Sequence, residues 1–405
     1  MPSFHVAIVG AGLGGLCLAQ GLKRAGIAFD VYERDAAPQS RTQGYRIRID
    51  EAGQRALAHC LPDDLYALFR HTCAAAASAG RFVDPRLAAL DGRAADTWQP
   101  AATGPEAAGD LSAHRLTLRE ILLHGISAHV HFGKAFAGYA IDADRQVAVH
   151  FSDGELRRTS LLVAADGVHS TVRRRALPNA EPAPTGAICV YGQTPLTPEL
   201  RAVAGADLGT GTSVIFADGF AAVLDAMRFR APFVVPGPAF VHTCGLTHVD
   251  DYLYWAFIGP DARLPRIEPA GTHRTADVWL NSVAHWTRDW HPRVRKLLRH
   301  ATPDSLALQP VRRAPDLGTL PAGPLAFIGD AIHAMSPAAG LGANTALADA
   351  ADLAGRLAQA RAAGAASWSG ALRDYHAALR TRANAALQAA DRASDKLFGA
   401  QLAPS

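Results

Sequence analysis

The chain has 405 residues, which exceeds one ordinary domain and predicts two intertwined domains with sizeable cores. Its 40 basic and 37 acidic residues are interspersed and leave a formal charge of +3, which argues against a nucleic-acid surface and favours a small-molecule partner. Five scattered cysteines without C-x-x-C spacing, a first strand close to the N-terminus and the lack of any apolar run of membrane length predict a cytoplasmic protein without a metal or membrane site.

A strand that turns sharply into a helix is predicted at the start of the chain. Residues 6–9 are apolar and rich in β-branched side chains, and residues 13–17 carry apolar side chains at helical spacing. Between them lies the pattern G-x-G-x-x-G, in which Gly10 permits the tight turn and Gly12 lets a pyrophosphate approach the backbone. Gly15 lets the helix pack closely on the strand, and the helix N-terminus would then face the phosphates.

The second strand supports the same interpretation. It covers Phe29–Tyr32 and ends in Glu33, 18 residues after Gly15 (33 − 15), where a carboxylate that binds a ribose belongs. The alternative is a glycine turn followed by a surface glutamate, which the agreement of strand, helix and acid disfavours. The N-terminal stretch therefore predicts a dinucleotide site.

An alternating run at residues 44–50 predicts a third strand with two different faces. One face is apolar, and the other carries Arg46 and Arg48. Two arginines on one strand face are usually solvated, but beside a nucleotide site they can meet an anion. Both interpretations stay open.

Helical composition follows this strand. Residues 51–77 have helical composition, residues 95–110 predict a loop, and residues 111–127 predict a further helix. Arg115 and Arg119 lie four residues apart and therefore on one helix face. Near a bound nucleotide such an arginine pairs with phosphates, and elsewhere it is a plain surface residue.

A meander of short strands is predicted for residues 128–163, with a hairpin turn at Asp153 and Gly154. His129 and His131 alternate with apolar residues, as on an exposed strand face. A metal site built from these two histidines lacks a third ligand at suitable spacing. We therefore predict no metal site.

The next apolar strand, residues 161–165, ends in Asp166 and Gly167, which indicates a second ligand-binding edge because ligands sit at the carboxyl ends of parallel strands. From residue 180 to 270 short strands follow one another without intervening helices, so we predict an antiparallel sheet that forms a second domain. Three polar residues on or beside these strands are candidate substrate contacts, although such residues are more often structural: Tyr191, Gln193 and His242.

After the N-terminal stretch, residues 325–344 give the most information about a bound ligand. An apolar strand ends in Gly329 and Asp330, where the glycine allows close approach and the carboxylate is offered to a sugar hydroxyl. Further on, Gly340 and Gly342 place backbone N–H groups at the start of an alanine-rich helix. The alternative is a plain loop of glycine and proline between a strand and a helix.

Taken together, these blocks resemble the single-component FAD-dependent aromatic hydroxylases of the para-hydroxybenzoate hydroxylase type. The resemblance covers nearly the whole chain. It implies an α/β fold, with a Rossmann-like FAD-binding domain, an inserted and mostly antiparallel β substrate domain, and C-terminal helices. The implied segments are 1–179 for the first part of the FAD-binding domain, 180–270 for the substrate domain, 271–345 for the second part of the FAD-binding domain and 346–405 for the C-terminal helices.

The resemblance also implies which residues serve the cofactors FAD and NAD(P)H. Glu33 would bind the adenosine ribose, Arg115 would contact the phosphates, and Asp330 would bind the sugar-like chain of the flavin. The helix start at 340–344 would place N–H groups beside the flavin ring, where negative charge collects on reduction. The full implied set is Gly10, Gly12, Gly15, Glu33, Arg34, Arg115, Asp166, Gly167, Gly329, Asp330, Gly340, Gly342, Ala343 and Asn344.

Two residues are implied to act at the reacting end of the site. Pro337 would lie near the reacting edge of the flavin. Arg46 stands where many relatives carry Gly, so it could place a cation near the flavin or the substrate. The sequence names no general base.

The implied reaction is reduction of FAD by NAD(P)H, reaction with O₂ to a flavin C4a-hydroperoxide, and oxygen transfer that hydroxylates or epoxidises an aromatic or polycyclic small molecule. A flavin-dependent halogenase is one alternative, which the lack of a W-x-W-x-I-P stretch disfavours. An FAD-binding protein without turnover is the other, and it would carry the same glycine and acidic blocks.

Overall fold

The structure is a computed structural model that describes residues 4–40, 45–74, 81–90, 109–217, 219–230, 245–261, 276–364 and 368–398. Its strands are β1 (His5–Val9), β2 (Ala28–Glu33), β3 (Arg46–Ile49), β4 (Arg81–Val83), β5 (Leu111–His114), β6 (Val130–Phe132), β7 (Phe136–Ile141), β8 (Val147–Phe151), β9 (Leu156–Thr159), β10 (Leu161–Ala164), β11 (Ala183–Pro195), β12 (Thr212–Ala217), β13 (Phe220–Met227), β14 (Tyr252–Pro260), β15 (Ala307–Arg313) and β16 (Leu325–Phe327). Its helices are α1 (Leu13–Arg24), α2 (Glu51–Cys60), α3 (Asp63–Thr72), α4 (Arg115–Leu123), α5 (Thr171–Ala176), α6 (Pro198–Leu208), α7 (Ala276–Trp286), α8 (Pro292–Arg299), α9 (Asp330–His333), α10 (Gly342–Ala363) and α11 (Trp368–Phe398).

A parallel sheet in the strand order β16-β10-β1-β2-β6 organises the first part of the molecule. In β1, Val6 lies opposite Leu161 of β10 and Phe29 of β2, and all three side chains are buried. Strands buried on both faces have continuous apolar sequences, as these do. Because the strands are parallel, their carboxyl ends meet at one edge, which brings together the segments that follow β1, β2, β10 and β16.

A second sheet, in the order β15-β11-β14-β13-β12-β4, is antiparallel except for the pairing of β4 with β12. On one face, Trp255 and Phe257 of β14 pack against apolar side chains of α6 and α8. On the other face, Cys189 and Tyr191 of β11 belong to a cluster with residues 335–341 and α11. This second face is therefore directed toward the loop that leads into α10.

Three strands, β4, β5 and β15, lie outside the stretches for which the sequence predicted strands. β15, from the segment 271–345, completes the edge of the second sheet beside β11, and β4, from the segment 1–179, completes the other edge. Residues 111–127 do not form one helix, because Leu111–His114 pairs with β3 and the His114 side chain caps α4 by accepting a hydrogen bond from the Thr117 N–H. Strand edges recruit partners that are distant in sequence, which local periodicity does not encode.

The meander predicted for residues 128–163 is divided between two sheets. β7, β8 and β9 form a three-stranded antiparallel sheet with Gly154 at its hairpin turn, whereas β6 and β10 join the parallel sheet. The side chains of His129 and His131 are 57% and 37% exposed, and one ring nitrogen of each approaches the Asp30 carboxylate, at 3.9 and 2.8 Å respectively. The predicted loop at 95–110 lies almost entirely outside the described residues.

The long helix α11 connects the two parts of the molecule. Its buried stripe includes Leu372, Tyr375, Leu379 and Leu387, and the Tyr375 hydroxyl donates a 2.7 Å hydrogen bond to the Phe327 carbonyl of β16. The helix also contacts α10 and β13. Among the helices described, none combines the length and the apolar composition needed to cross a bilayer.

Candidate active site

A cavity of about 250 Å³ opens at the carboxyl edge of the parallel sheet. Its walls come from the turns after β1, β2 and β10 and from the start of α4. Seven of the predicted cofactor residues line it: Gly10, Gly12, Glu33, Arg34, Arg115, Asp166 and Gly167. The parallel topology therefore brings the first two sequence blocks to one place.

The three glycines of the first turn have different surroundings. Gly10 has a φ of +109°, and a Cβ added there would lie 2.2 Å from the Ala165 carbonyl oxygen. A Cβ on Gly15 would lie 2.2 Å from the Gly10 carbonyl oxygen, so both positions require close backbone approach. A Cβ on Gly12 would meet nothing within 4 Å, and Gly12 caps the N-terminus of α1 without a side-chain hydrogen bond. The helix N-terminus thus faces open cavity, as an anion site requires.

Glu33 is held rigidly at the end of β2. Its carboxylate accepts hydrogen bonds from the Ala11 N–H at 2.8 Å and from the Asp35 N–H at 3.1 Å. Arg119 lies 3.9 Å from the same carboxylate and donates a 3.0 Å hydrogen bond to the Ala11 carbonyl. The sequence prediction placed Arg119 only on the same helix face as Arg115, and this spacing was the signal that both arginines face the cavity.

Asp166 supplies an unsatisfied acceptor after β10. Its Oδ2 accepts hydrogen bonds from the N–H groups of Thr171, at 2.8 Å, and Val172, at 3.4 Å. Its Oδ1 is buried and makes no hydrogen bond to the described residues. Burial raises the pKa of this carboxyl, against the lowering effect of its hydrogen bonds. A buried acceptor without a partner costs free energy, and a hydroxyl of a bound ligand would satisfy it.

The second block forms a turn with positive φ at the end of β16. Gly329 has a φ of +63°, and a Cβ there would lie 2.9 Å from the Ala346 Cβ of α10. Asp330 follows as the first residue of α9 and is accessible to water although protein surrounds it. Desolvation raises the pKa of Asp330, while His333 and Arg115 act in the opposite direction. An accessible carboxylate inside the fold fits a hydroxylated ligand.

A buried charge network that the sequence prediction missed lies behind this turn. His333 Nε2 is 2.6 Å from Asp349 Oδ2, and neither side chain has any exposed surface. Asp349 also accepts hydrogen bonds from the Gly329 N–H, at 3.0 Å, and from Arg382 Nε, at 2.7 Å. Three elements, α9, α10 and α11, therefore fix the Gly329 turn. The only signal in the sequence was a histidine three residues after Asp330.

The loop and helix start at residues 337–344 face the second sheet. Pro337 is exposed and opens a short 3₁₀ turn, Gly340 has a φ of +64°, and α10 begins at Gly342 with the partly exposed Ala343 in its first turn. The Asn344 side chain is buried, and it donates to the Arg48 and Gly340 carbonyls at 3.0 Å each. None of these residues lines the 250 Å³ cavity.

Of the two interpretations left open for Arg46, the solvated side chain is wrong. The Arg46 side chain is 11% exposed, and its Nε lies 2.6 Å from Oδ2 of Asp225, which is 3% exposed. Ser112 of β5 donates a 3.1 Å hydrogen bond to the same Asp225 oxygen. Arg48 is likewise paired with Asp110. Strand alternation alone placed both arginines on one face of β3, and it says nothing about the acidic partners that other segments of the chain supply.

Tyrosines of the second sheet lie on the face toward this loop. Tyr191 packs edge-on against Tyr45, with ring centroids 6.4 Å apart. Tyr254 lies in the same cluster, and burial raises the pKa of Tyr191 and Tyr254, so both hydroxyls stay neutral hydrogen-bonding groups. The Gln193 backbone binds Thr302 and Ser305, and His242 lies outside the described residues.

Comparisons with known proteins agree with this geometry. Residues 8–71 match the family model of an NAD(P)-binding Rossmann-like domain, and residues 317–390 match that of an FAD binding domain. The chain is 32% identical, over 97% of its length, to the dual O-methyltransferase/FAD-dependent monooxygenase CTB3 of Cercospora nicotianae. It spans 46% of that relative's length. It is 27% identical, over 91% of its length and 84% of the relative's, to the FAD-dependent urate hydroxylase of Klebsiella pneumoniae.

Among solved structures, a protein of Photorhabdus luminescens described as a candidate FAD-containing monooxygenase superposes with a TM-score of 0.81. The two chains are 28% identical, and the match covers 98% of this chain and 100% of the other. The similarity therefore includes both sheets and the C-terminal helices.

Proposed function

This chain belongs to the single-component FAD-dependent aromatic hydroxylases, and from that premise we propose that it is a cytoplasmic monooxygenase that uses FAD, NAD(P)H and O₂ to hydroxylate or epoxidise an aromatic or polycyclic small molecule. One observation carries the proposal. Segments that are far apart in sequence, the glycine turn, Asp166 and Gly329-Asp330, follow neighbouring parallel strands and so converge on one edge of one sheet.

The residues present suit FAD. The open space beside Gly12 and the N-terminus of α1 would take the pyrophosphate, and Glu33, at the end of β2, would take the ribose. The unpartnered Oδ1 of Asp166 and the accessible carboxyl of Asp330 are acceptors for ligand hydroxyls. When bound, the flavin supplies hydride acceptance and oxygen activation, which no amino-acid side chain provides.

The protein's own part is positioning, electrostatics and exclusion of water. The N-terminus of α10 at Gly342 would stabilise negative charge on the flavin ring system, and Pro337 would border the reacting edge. The tyrosine-bearing face of the second sheet would form the opposite wall and hold the substrate against that edge. We assign no general base.

The test begins with FAD content. We expect the purified protein to be yellow, with about one FAD per chain, and we expect phenols to stimulate NAD(P)H oxidation together with oxygen uptake. Isotopically labelled O₂ should place one labelled oxygen atom in the product. A colourless protein that cannot be reconstituted would contradict the proposal.

Two other results would identify the alternatives. Bound FAD without NAD(P)H oxidation across a broad panel of phenols would indicate a carrier or regulator. A chlorinated product that requires chloride would indicate a halogenase.

A further inference from the structure

The wall of the proposed substrate site is apolar and carries hydroxyl groups. On the sheet side it consists of residues such as Cys189, Tyr191 and Tyr254, and residues 335–341 supply the opposite side, with Met335 and Leu341 partly exposed. The polar groups that the two tyrosines offer are neutral hydroxyls, which both donate and accept hydrogen bonds. Such a wall suits an aromatic ring with its own hydroxyl group.

The two arginines of β3, Arg46 and Arg48, are both paired with carboxylates of the protein. Asp225 lies opposite Tyr254 in the sheet register, and its carboxylate binds Arg46 with Nε to Oδ2 at 2.6 Å. Both members of the pair act electrostatically on the pKa of Tyr254, which places them beside the wall. Arg48 is paired with Asp110, 14% and 17% exposed respectively, so neither strand arginine offers a free charge.

Arg115 of α4 lies between the cofactor cavity and the wall, since it also acts electrostatically on Tyr191. It lines that cavity and lies within electrostatic range of the Asp330 carboxyl. A carboxylate substrate that bound Arg46 would have to displace Asp225 from it. It would also approach an Asp225 carboxylate that is almost fully buried, and like charges in such a setting repel strongly.

From this pairing we infer, on the basis of the proposed function, that the substrate is an uncharged aromatic phenol and not an aromatic carboxylate. Asp225 sets this selectivity by neutralising the charge of Arg46. Removing the Asp225 charge leaves a buried guanidinium without a counter-ion. An aromatic carboxylate then becomes the natural partner, because it restores a counter-ion to Arg46.

The experiment uses the FAD-loaded protein and two probes of similar size, catechol and salicylate, which differ by a hydroxyl in place of a carboxylate. Dissociation constants are measured from the change in the flavin absorption spectrum, which needs no turnover. We expect the wild type to bind catechol more tightly by about tenfold or more. We expect Asp225→Asn to shift the ratio toward salicylate by at least a similar factor.

The matched control is the double variant Arg46→Gln/Asp225→Asn, which keeps a polar side chain at both positions and removes both charges. It should show no gain for salicylate. Wild-type protein that prefers salicylate, or binds neither probe, overturns the inference, as does an FAD-loaded Asp225→Asn variant with an unchanged ratio. If Asp225→Asn does not fold, the wild-type ratio alone decides.

Different results would contradict the proposed function and this inference. A chain that cannot be loaded with FAD overturns both. An FAD-loaded protein that oxidises NAD(P)H with phenols but prefers salicylate leaves the proposed function standing and removes only the masking role of Asp225.

Discussion

At the scale of single residues, the site depends on carboxylates that the protein fixes before any ligand arrives. Glu33 is held by two backbone N–H groups, and Asp166 is held through one oxygen while the other stays unpartnered. Fixing a carboxylate in advance lowers the entropy lost when a ligand hydroxyl binds to it. The same contacts mean that a substitution at Glu33 loosens the glycine turn as well as removing a ligand contact.

We expect Glu33→Ala to weaken FAD binding by about 1.5–3 kcal/mol, since hydrogen bonds to a charged group are lost. Titration of the apoprotein with FAD measures the change. Glu199→Ala is a suitable control because Glu199 is a surface residue, 73% exposed, whose partner is Lys296. Equal FAD affinity in the two variants would show that Glu33 is not the ribose ligand.

At the level of secondary-structure elements, the glycines of the β1–α1 turn have two different roles: one allows close backbone packing and the other leaves space for a ligand. A side chain at Gly15 collides with backbone, whereas a side chain at Gly12 enters open space. The φ of Gly12 is −74°, so the position also tolerates other residues conformationally. Stability and ligand binding should therefore respond differently to the same substitution at these two positions.

We expect Gly15→Ala to lower the free energy of unfolding by about 1–3 kcal/mol or more, since a well-packed site must shift to accept a methyl group. Gly12→Ala should leave the stability of the apoprotein nearly unchanged and weaken FAD binding by obstructing the pyrophosphate. Thermal unfolding without FAD and titration with FAD separate the two effects. A Gly12→Ala variant with normal affinity would place the pyrophosphate elsewhere.

The network behind the Gly329 turn joins three helices through one buried carboxylate. Burial by itself lowers the pKa of His333, but Asp349 reverses this and the net shift is upward. Burial by itself raises the pKa of Asp349, and His333 and Arg382 reverse that, so the net shift is downward. The His333 contribution to stability is fully present below the usual histidine value of 6.5 and is lost as pH rises through the raised pKa.

The Asp349 contribution behaves in the opposite sense: it is present above the usual value of 3.8 and is lost as pH falls through the lowered pKa. We therefore expect the His333–Asp349 pair to contribute most between about pH 4 and 6.5. Asp349→Asn should reduce the free energy of unfolding by about 3–5 kcal/mol at pH 6, because a buried charge loses its partner.

Denaturant unfolding of the wild type and of His333→Gln at a series of pH values checks this assignment. The stability advantage of the wild type should shrink as the solution becomes alkaline. An advantage that grows with pH would show that His333 is neutral in the fold.

At the scale of the whole molecule, the Arg46–Asp225 pair ties the β3–β5 ribbon to the second sheet. The contact joins two parts of the fold that pack on separate cores, and Ser112 reinforces it. A buried pair of this kind is weak evidence for net stability, yet breaking it is costly. Its position between the two cores suits the alignment of the substrate wall with the cofactor edge.

We expect Arg46→Ala or Asp225→Ala alone to destabilise the protein by about 3–5 kcal/mol, well above the ~0.5 kcal/mol of a solvated arginine. The double variant should be less damaged than the two single effects added together. A double-mutant cycle on unfolding free energies measures this coupling. A coupling near zero would mean that the two side chains do not interact in solution.

Sequence patterns were enough to predict the β1–α1 turn, Glu33 at the end of β2, and the acidic residues after β10 and β16. These features follow from short-range rules, because glycine requirements, strand patterning and the position of strand ends are local. The C-terminal apolar stripe of α11 was predictable for the same reason. The family resemblance rested on those blocks, and the comparisons confirm it.

Long-range packing was needed to show that Leu111–His114 pairs with β3, that β15 completes the second sheet, and that Asp225 and Asp349 are the partners of Arg46 and His333. Each of these depends on which strand edge or helix face meets a residue from far along the chain. The alternation of residues predicts the strand face from which Arg46 projects. Whether its charge is paired depends on which side chain of the opposing sheet lies next to it. That choice is made by packing of the whole chain, which no local window of sequence contains.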